Sequence, residues 1–338
     1  MAFYVRGRKL LIKEIYVETF LSYLGQGVTR PALILGDDAQ TYILKTQKVS
    51  DGQGLDTYDC MFLNELLSSQ IADYLGVPAP EAAIAKLDGA LIEHDPEITF
   101  VHRFYEGKHF ASLEVKENED NLMENYQEQL RMRKPLIKRS WKKFFENITN
   151  KNDIPKILAF DLLIANFDRY GNTGNLLVAS TDNGRKVLSI DHGHAFFGPK
   201  WDQNKMNIIQ AIEYSDEYVN KIINTILGNN EGIANGLGEV FRAIEEYVSL
   251  DDLNLHSFQE IVYHIEGISE ELIDSWLNNI PEEWFVEKMI QKSYYTHLIM
   301  QHKYLIRHFI QCMANRSAFS NFRGGVLNWK EEQRAGTV

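Results

Sequence analysis

The chain has 338 residues, of which 35 are Lys or Arg and 47 are Asp or Glu, so its formal net charge is −12. A long nucleic-acid-binding surface usually raises the isoelectric point above about 9, and the value of about 5.4 here argues against direct binding to nucleic acid. Hydrophobic residues make up 44% of the chain and charged residues 24%, which is typical of a folded globular protein. At about 150 residues per domain, this length favours two domains or two lobes that share a cleft.

Cysteine usage and apolar runs indicate the cellular setting. The two cysteines, Cys60 and Cys312, stand in no metal-ligand spacing, which is typical of reduced thiols in a cytosolic protein. The first residues lack the unbroken apolar run of a signal peptide, and Asp161 interrupts the most apolar stretch of the chain. We therefore expect a cytoplasmic protein with no membrane partner.

The first hundred residues are rich in strand-forming patterns. Apolar residues at helical spacing predict one helix over 58–75, which ends at Gly76. Runs of β-branched, aromatic and aliphatic residues predict strands at 10–17, 30–35, 41–46, 82–87 and 98–104.

Beyond Gly107 the pattern becomes mostly helical. Residues 113–129 are acidic and residues 131–143 are basic, which favours a solvated pair of helices, with a docking surface for a partner as the alternative. Asp153 is a candidate N-cap for a helix with Pro155 in its first turn. That helix is apolar on nearly all sides, so we expect it to be buried at the centre of the second half.

The densest group of polar side chains follows this helix. A polar loop leads into strands predicted at 176–179 and 186–190, and Asp191 comes directly after the second strand. Carboxylate and amide oxygens are the ligands that Mg²⁺ prefers, and one Asp that orients a hydroxyl beside a second that holds metal suits phosphoryl transfer. The loop carries Asn166, Asp168, Arg169, Asn172 and Asn175.

The first half of the chain supplies residues that complement this loop. Lys45 ends the strand predicted at 41–46, where an ammonium group can neutralise phosphate charge, and Glu65 in the next helix is placed to pair with it. Gly25 and Gly27 separate two strands, so backbone N–H groups there can approach phosphates. A simple hairpin turn explains these two glycines equally well.

These segments together resemble the HipA-like kinases, a distant branch of the protein-kinase-like fold. The similarity runs from about residue 22 to residue 310 and rests on GVTRPALILGDDAQTYILK (27–45), NELLSSQIADYLGVPAP (64–80), GKHFAS (107–112), NFDRYGNTGNLLV (166–178), IDHGHAFF (190–197) and IPEEW (280–284). It implies an α+β, bilobal protein-kinase-like fold. The β-rich N-lobe would cover 1–104 and the mainly helical C-lobe 105–338, with GKHFAS near the start of the second lobe.

The resemblance also implies ATP and Mg²⁺ as cofactors and a Ser or Thr hydroxyl of a protein as the phosphate acceptor. Lys45 would contact the phosphates and Glu65 would pair with Lys45. Asp168 would be the catalytic Asp, Arg169 would hold its loop, and Asp191 would bind the metal.

The nucleotide would lie between the two lobes. Gly25 and Gly27 would approach its phosphates. A hinge at 101–104, with His102 and Phe104, would lie beside the adenine.

One position departs from the family pattern. The metal-binding Asn usually follows the catalytic Asp by five residues, but Thr173 stands there. Asn172 and Asn175 are both candidates, and we favour Asn175 because it directly precedes the strand. His192, in the Asp-His-Gly element, is either structural or in contact with the catalytic loop, and we favour the structural role.

Two further classes of function remain open. The same loop occurs in kinases of lipids, so a lipid or small-molecule kinase or a nucleotidyl transferase is one alternative. A non-catalytic, nucleotide-binding pseudokinase is the other, because of the displaced Asn. An antitoxin-like regulatory partner is known in the wider family, but no residue of this chain indicates one.

Overall fold

The structure, a computed structural model, describes residues 4–5, 8–9, 12–24, 30–50, 54–118, 137–167, 169, 175–228 and 238–330. Strands dominate the first third of the described chain and helices dominate the rest, so the expected α+β class is confirmed. Within the described residues, no helix combines the length and apolar character that crossing a membrane requires.

The strands are β1 (Tyr4–Val5), β2 (Arg8–Lys9), β3 (Lys13–Tyr23), β4 (Ala32–Gly36), β5 (Thr41–Leu44), β6 (Lys48–Ser50), β7 (Leu55–Thr57), β8 (Ala82–Leu87), β9 (Gly107–Leu113), β10 (Leu176–Thr181) and β11 (Gly184–Ser189). The α-helices are α1 (Met61–Leu75), α2 (Gly89–His94), α3 (Glu97–Phe100), α4 (Ile137–Phe145), α5 (Ile154–Leu163), α6 (Gln203–Gln210), α7 (Asp216–Leu227), α8 (Gly238–Ile244), α9 (Gln259–Glu266), α10 (Glu270–Asn278) and α11 (Lys288–Asn315). Short 3₁₀ turns occur at Lys151–Asp153, Glu245–Tyr247 and Glu282–Trp284.

Five strands close into a barrel in the order β3-β4-β5-β9-β8. Neighbouring strands are antiparallel except at the closing seam, where β3 and β8 pair in parallel with Lys13 opposite Ala83. Alternate residues of β4 and β5 face inward, and the barrel has its own core, which includes Ile34, Tyr42 and Phe104. Closure pairs strands that would otherwise be open edges.

Two expectations for the segment between β8 and β9 are wrong. The strand expected at 98–104 is instead the short helix α3 followed by a turn. The strand lies later, at Gly107–Leu113, so GKHFAS is part of the barrel and does not open the helical half. The proposed lobe boundary at 104 stays a prediction, although the barrel itself continues beyond it.

The helical half packs around α5 and α11, which share one large core. All but one of the ten residues of α5 are buried, as its apolar sequence predicts. Asp153 precedes the helix as expected, but its carboxylate accepts hydrogen bonds from Asn150 and Lys156 instead of capping the helix. Of the expected pair of charged helices, α4 covers 137–145, and residues 119–136 lie outside the described residues.

Helix α1 links the barrel to the helical half. Its apolar side chains belong to the large helical core, while Phe62 packs against Trp284 with ring centroids 5.2 Å apart. The indole N–H of Trp284 donates a hydrogen bond to the carbonyl of Lys108 in β9, at 3.1 Å. The IPEEW segment therefore joins α1 and the barrel at one point.

This contact predicts a stability difference between two tryptophans. We expect Trp284→Phe to lower the free energy of unfolding by about 2 kcal/mol, because it removes the indole N–H that donates to the Lys108 carbonyl and opens a small gap. Urea titration measures the change. Trp329→Phe is the control, since Trp329 is only half-buried beside His256, and it should cost less. Equal losses for the two variants would show that the contact adds nothing.

Candidate active site

Lys45 lies at the junction of the barrel, α1 and the β10–β11 hairpin. Its backbone N–H donates to the carbonyl of Phe110 in β9, which fixes the residue directly after β5. Its Nζ atom is 2.5 Å from Glu65 Oε1 and 2.8 Å from Asp191 Oδ1. The structure thus brings together three residues that the sequence places 20 and 146 positions apart.

The three charges perturb one another strongly. The ammonium of Lys45 lowers the pKa of Asp191 to about 2, against the opposing effect of burial. Burial disfavours the charge on Lys45, but the carboxylates of Asp191 and Glu65 outweigh it and raise the Lys45 pKa. Burial raises the pKa of Glu65, against the attraction of Lys45. Asp191 therefore carries the negative charge of this group most firmly.

The backbone around Asp191 is shaped to present this side chain. Asp191 follows β11 with φ of 60°, a left-handed conformation that a non-glycine residue rarely adopts. Its side chain is 46% exposed, whereas that of Glu65 is 3% exposed. Gly193 allows close approach to α1, because a Cβ atom there would lie 2.7 Å from Met61 Cγ. Asp191 is thus the member of the group that a ligand can reach.

His192 is buried behind Asp191. Its Nε2 atom lies 2.8 Å from Ser189 Oγ, and its backbone N–H donates to Glu65 Oε2 at 3.2 Å. Burial lowers the pKa of His192 well below its usual value, so the ring is neutral near pH 7. These contacts favour the structural role expected for this histidine.

Arg169 forms a second ion pair, which is fully buried. Its Nε atom is 2.7 Å from Asp161 Oδ2, and its Nη2 atom is 3.0 Å from Asp161 Oδ1. Nη1 donates to the carbonyls of Asn175 and Ile190, the latter at 2.9 Å. Arg169 therefore holds together the two strand ends at Asn175 and Ile190, and the role that the resemblance implies for it in the catalytic loop stays a prediction.

Asp161 is a site residue that the sequence analysis missed. It was noticed only as the charge that interrupts the apolar stretch of α5. A single carboxylate on a helix buried on nearly all sides needs a cation to compensate it. In the sequence, the need for such a cation and the presence of Arg169 eight residues later are the signals that indicate a role for Asp161.

Several predicted site residues cannot be placed. Asp168, Asn172, Gly25 and Gly27 lie outside the described residues. Asn175 is described and is buried at the start of β10, where the N–H of Ile190 donates to its carbonyl at 3.2 Å. The choice between Asn172 and Asn175 as metal ligand stays a prediction.

The predicted adenine contacts lie on the turn after α3. His102 stacks on Tyr23, with the two rings nearly parallel. Phe104 is buried in the barrel core, its N–H donates to the Ile98 carbonyl, and its own carbonyl accepts from Thr99. The N–H of Phe104 is therefore already bonded within the turn, and the role of both residues stays a prediction.

The donors present fit a magnesium ion that is bound jointly with phosphates. Among the residues that the structure describes, no group of three His, Cys, Asp or Glu side chains forms a metal cage. Mg²⁺ is usually held by one or two carboxylates together with substrate phosphates. A partly exposed Asp191 carboxylate meets that requirement, and the backbone of Asn175 lies beside Ile190, the residue before Asp191.

Sequence comparison now identifies the family. Residues 17–214 match the family model described as HipA-like kinase, which is more than half of the chain. The chain belongs to the HipA-like kinase family, whose members are phosphotransferases. No curated protein matches the chain in sequence.

Three solved structures are similar at low sequence identity. The Helicobacter pylori proinflammatory kinase CtkA shares 13% identity at a TM-score of 0.48, over 88% of this chain and 94% of its own. HipA of Shewanella oneidensis MR-1, solved with HipB and operator DNA, shares 13% identity at a TM-score of 0.37, over 85% of this chain and 65% of its own. A Golgi casein kinase with Mn/ADP bound shares 10% identity at a TM-score of 0.39, over 95% of this chain and 77% of its own.

The buried ion pair predicts a large stability effect at Asp161. We expect Asp161→Asn to lower the free energy of unfolding by about 3–5 kcal/mol, because the buried guanidinium of Arg169 loses its counter-charge. The control is Asp153→Asn, which removes the partly exposed pair with Lys156 and should cost about 0–1 kcal/mol. Urea unfolding of the two variants measures both, and similar losses would contradict a dominant role for the buried pair.

The pKa of Asp191 predicts a pH dependence. Because the folded value of about 2 lies below the ordinary 3.8, the charged carboxylate stabilises the fold above about pH 4. That contribution is lost as the pH falls toward 2. In Lys45→Met we expect the pKa of Asp191 to rise toward 3.8, because the cation that lowers it is gone.

Carbon-13 NMR titration of the Asp191 carboxyl group measures this shift. Lys156→Met is the matched control, because Lys156 pairs with Asp153 and not with Asp191. A pKa that stays near 2 in Lys45→Met would mean that another group holds the charge of Asp191.

Proposed function

We propose that this chain is an ATP- and Mg²⁺-dependent kinase that transfers the γ-phosphate of ATP to a Ser or Thr hydroxyl of a protein. The observation that carries the proposal is the Lys45–Glu65–Asp191 group, with Nζ–carboxylate distances of 2.5 and 2.8 Å. Phosphoryl transfer needs a cation on the phosphates and a carboxylate that holds metal, each fixed in place.

In this proposal each described residue has a defined task. Glu65 holds the Lys45 ammonium in place, and this ammonium would contact the phosphates. Asp191 and Asn175 would hold Mg²⁺, which supplies charge neutralisation on the phosphates when bound. Arg169 and Asp161 keep the strand ends behind these two ligands in position.

Asp168 completes the proposal on the strength of the family pattern. It would accept a hydrogen bond from the acceptor hydroxyl and orient it toward the phosphate. A protein acceptor is the usual one for the family pattern, and an antitoxin-like partner and a cytoplasmic location stay predictions as well.

The test compares the wild-type protein and three variants with labelled ATP and Mg²⁺ in a host lysate. We expect Asp191→Asn to reduce labelling of protein by about 10²–10³-fold or more, because a preorganised charge at the transferring phosphate is lost. The control is Asp182→Asn, an exposed acid in the turn at the other end of the same hairpin, which should retain activity. Asp168→Asn should resemble Asp191→Asn.

Intact-mass measurement of the labelled products separates the alternatives. Addition of one phosphate to a protein Ser or Thr supports the proposal. Addition of AMP would identify a nucleotidyl transferase, and turnover of ATP with no change in protein mass would identify a small-molecule or lipid kinase. Binding of ATP without any turnover would identify a pseudokinase.

A further inference from the structure

The segment that follows Asp191 has an unusual backbone. Asp191, Phe196 and Phe197 have φ values of 60°, 56° and 64°, so three non-glycine residues are left-handed within seven positions. Such conformations are costly for residues with large side chains and persist only where surrounding contacts enforce them. Some group outside the segment 191–198 must therefore hold it.

The group that contacts the most carbonyls of this segment is the side-chain amide of Asn64, on α1. Its Nδ2 atom lies 2.8 Å from the carbonyl of Gly193 and 3.0 Å from those of Ala195 and Gly198. Asn64 is fully buried, so water does not compete for these bonds. One carboxamide thus contacts three carbonyls of the segment.

A buried network fixes the orientation of this amide. The Tyr295 hydroxyl donates to Asn64 Oδ1 at 2.6 Å. Lys205 Nζ donates to the same hydroxyl at 2.9 Å and to the Gly198 carbonyl at 2.8 Å. Because the hydroxyl accepts from Lys205, its own proton is directed to Asn64 Oδ1, and the NH₂ group of Asn64 must face the segment.

Asn64 directly precedes Glu65 on the helix. Glu65 binds Lys45 and accepts the backbone N–H of His192, whereas Asn64 binds the carbonyls that follow. Two neighbouring residues of α1 therefore hold the two sides of the Asp191 loop. The sequence resemblance includes Asn64 in its NELL segment but assigns it no role.

We propose that Asn64 is a positioning residue, whose amide locks the strained segment 191–198 and thereby sets the Asp191 carboxylate for metal–nucleotide binding. The metal part of this statement rests on the proposed kinase function. The locking part concerns the free protein alone, and the two parts are measured separately.

The first measurement is amide hydrogen exchange of the nucleotide-free protein. In Asn64→Asp, which keeps the shape of the side chain and loses its two donors, exchange within 191–198 should rise by about tenfold or more. Tyr295→Phe frees the Asn64 amide without adding a buried charge, and it should change exchange in the same direction by less.

Gln70→Glu is the matched control, because Gln70 is another buried amide on α1. Its partners are the carbonyl of Trp276 and the side chain of Asn279, in the helical half. This variant should leave exchange within 191–198 unchanged. Unchanged exchange in both Asn64→Asp and Tyr295→Phe would overturn the proposal.

The second measurement is the affinity for ADP with and without Mg²⁺, by calorimetry. Asn64→Asp should lose most of the Mg²⁺-dependent gain in affinity and keep the affinity measured without Mg²⁺, whereas Gln70→Glu should keep both. A full Mg²⁺-dependent gain in Asn64→Asp would overturn the positioning role. If the wild-type protein itself shows no Mg²⁺-dependent binding, the proposed function fails and the metal part of the proposal fails with it, while the exchange data still decide the locking part.

Discussion

One buried ammonium group joins the three parts of the structure that carry chemistry. Lys45 comes from the end of a barrel strand, Glu65 from α1, and Asp191 from the end of the β10–β11 hairpin. Burial of a charge is costly unless an opposite charge lies beside it. The barrel, the helix and the hairpin therefore hold one another in place, since moving any one of them would separate opposite charges where little water can replace them.

A second buried cation supports the backbone behind this group. Arg169 neutralises Asp161 and binds the carbonyls next to the two predicted metal ligands. The Lys45 pair was predictable, because a Lys at a strand end and a Glu in the next helix are close in sequence and common in phosphoryl transfer. The role of Asp161 was harder to predict, because the sequence shows that its buried charge needs a cation but does not show that Arg169 is that cation.

The strands and helices were predictable where the sequence pattern was typical of one type of element and excluded the other. The strand at Ala82–Leu87, helix α1 and the β10–β11 hairpin all lie at or near their expected positions. The segment 98–104 misled because it is apolar, yet Phe100 is 84% exposed. Asp95, whose carboxylate accepts the N–H of Glu97, and Pro96 mark a helix start there. Closure of the barrel through a parallel pair has no local sequence signal, because its two strands are distant in the chain.

The parallel pairing of β3 and β8 also affects the order in which parts of the chain fold. Lys13 and Ala83 pair at a sequence separation of 70 (83 − 13), and the chain between them contains β4, β5 and the whole of α1. The entropy of closing so long a loop must be met before the pairing contributes any stability. We therefore expect this pairing to form late in folding. Because α1 lies within the loop and packs in the helical core, the barrel and the helical half are linked in folding as well as in structure.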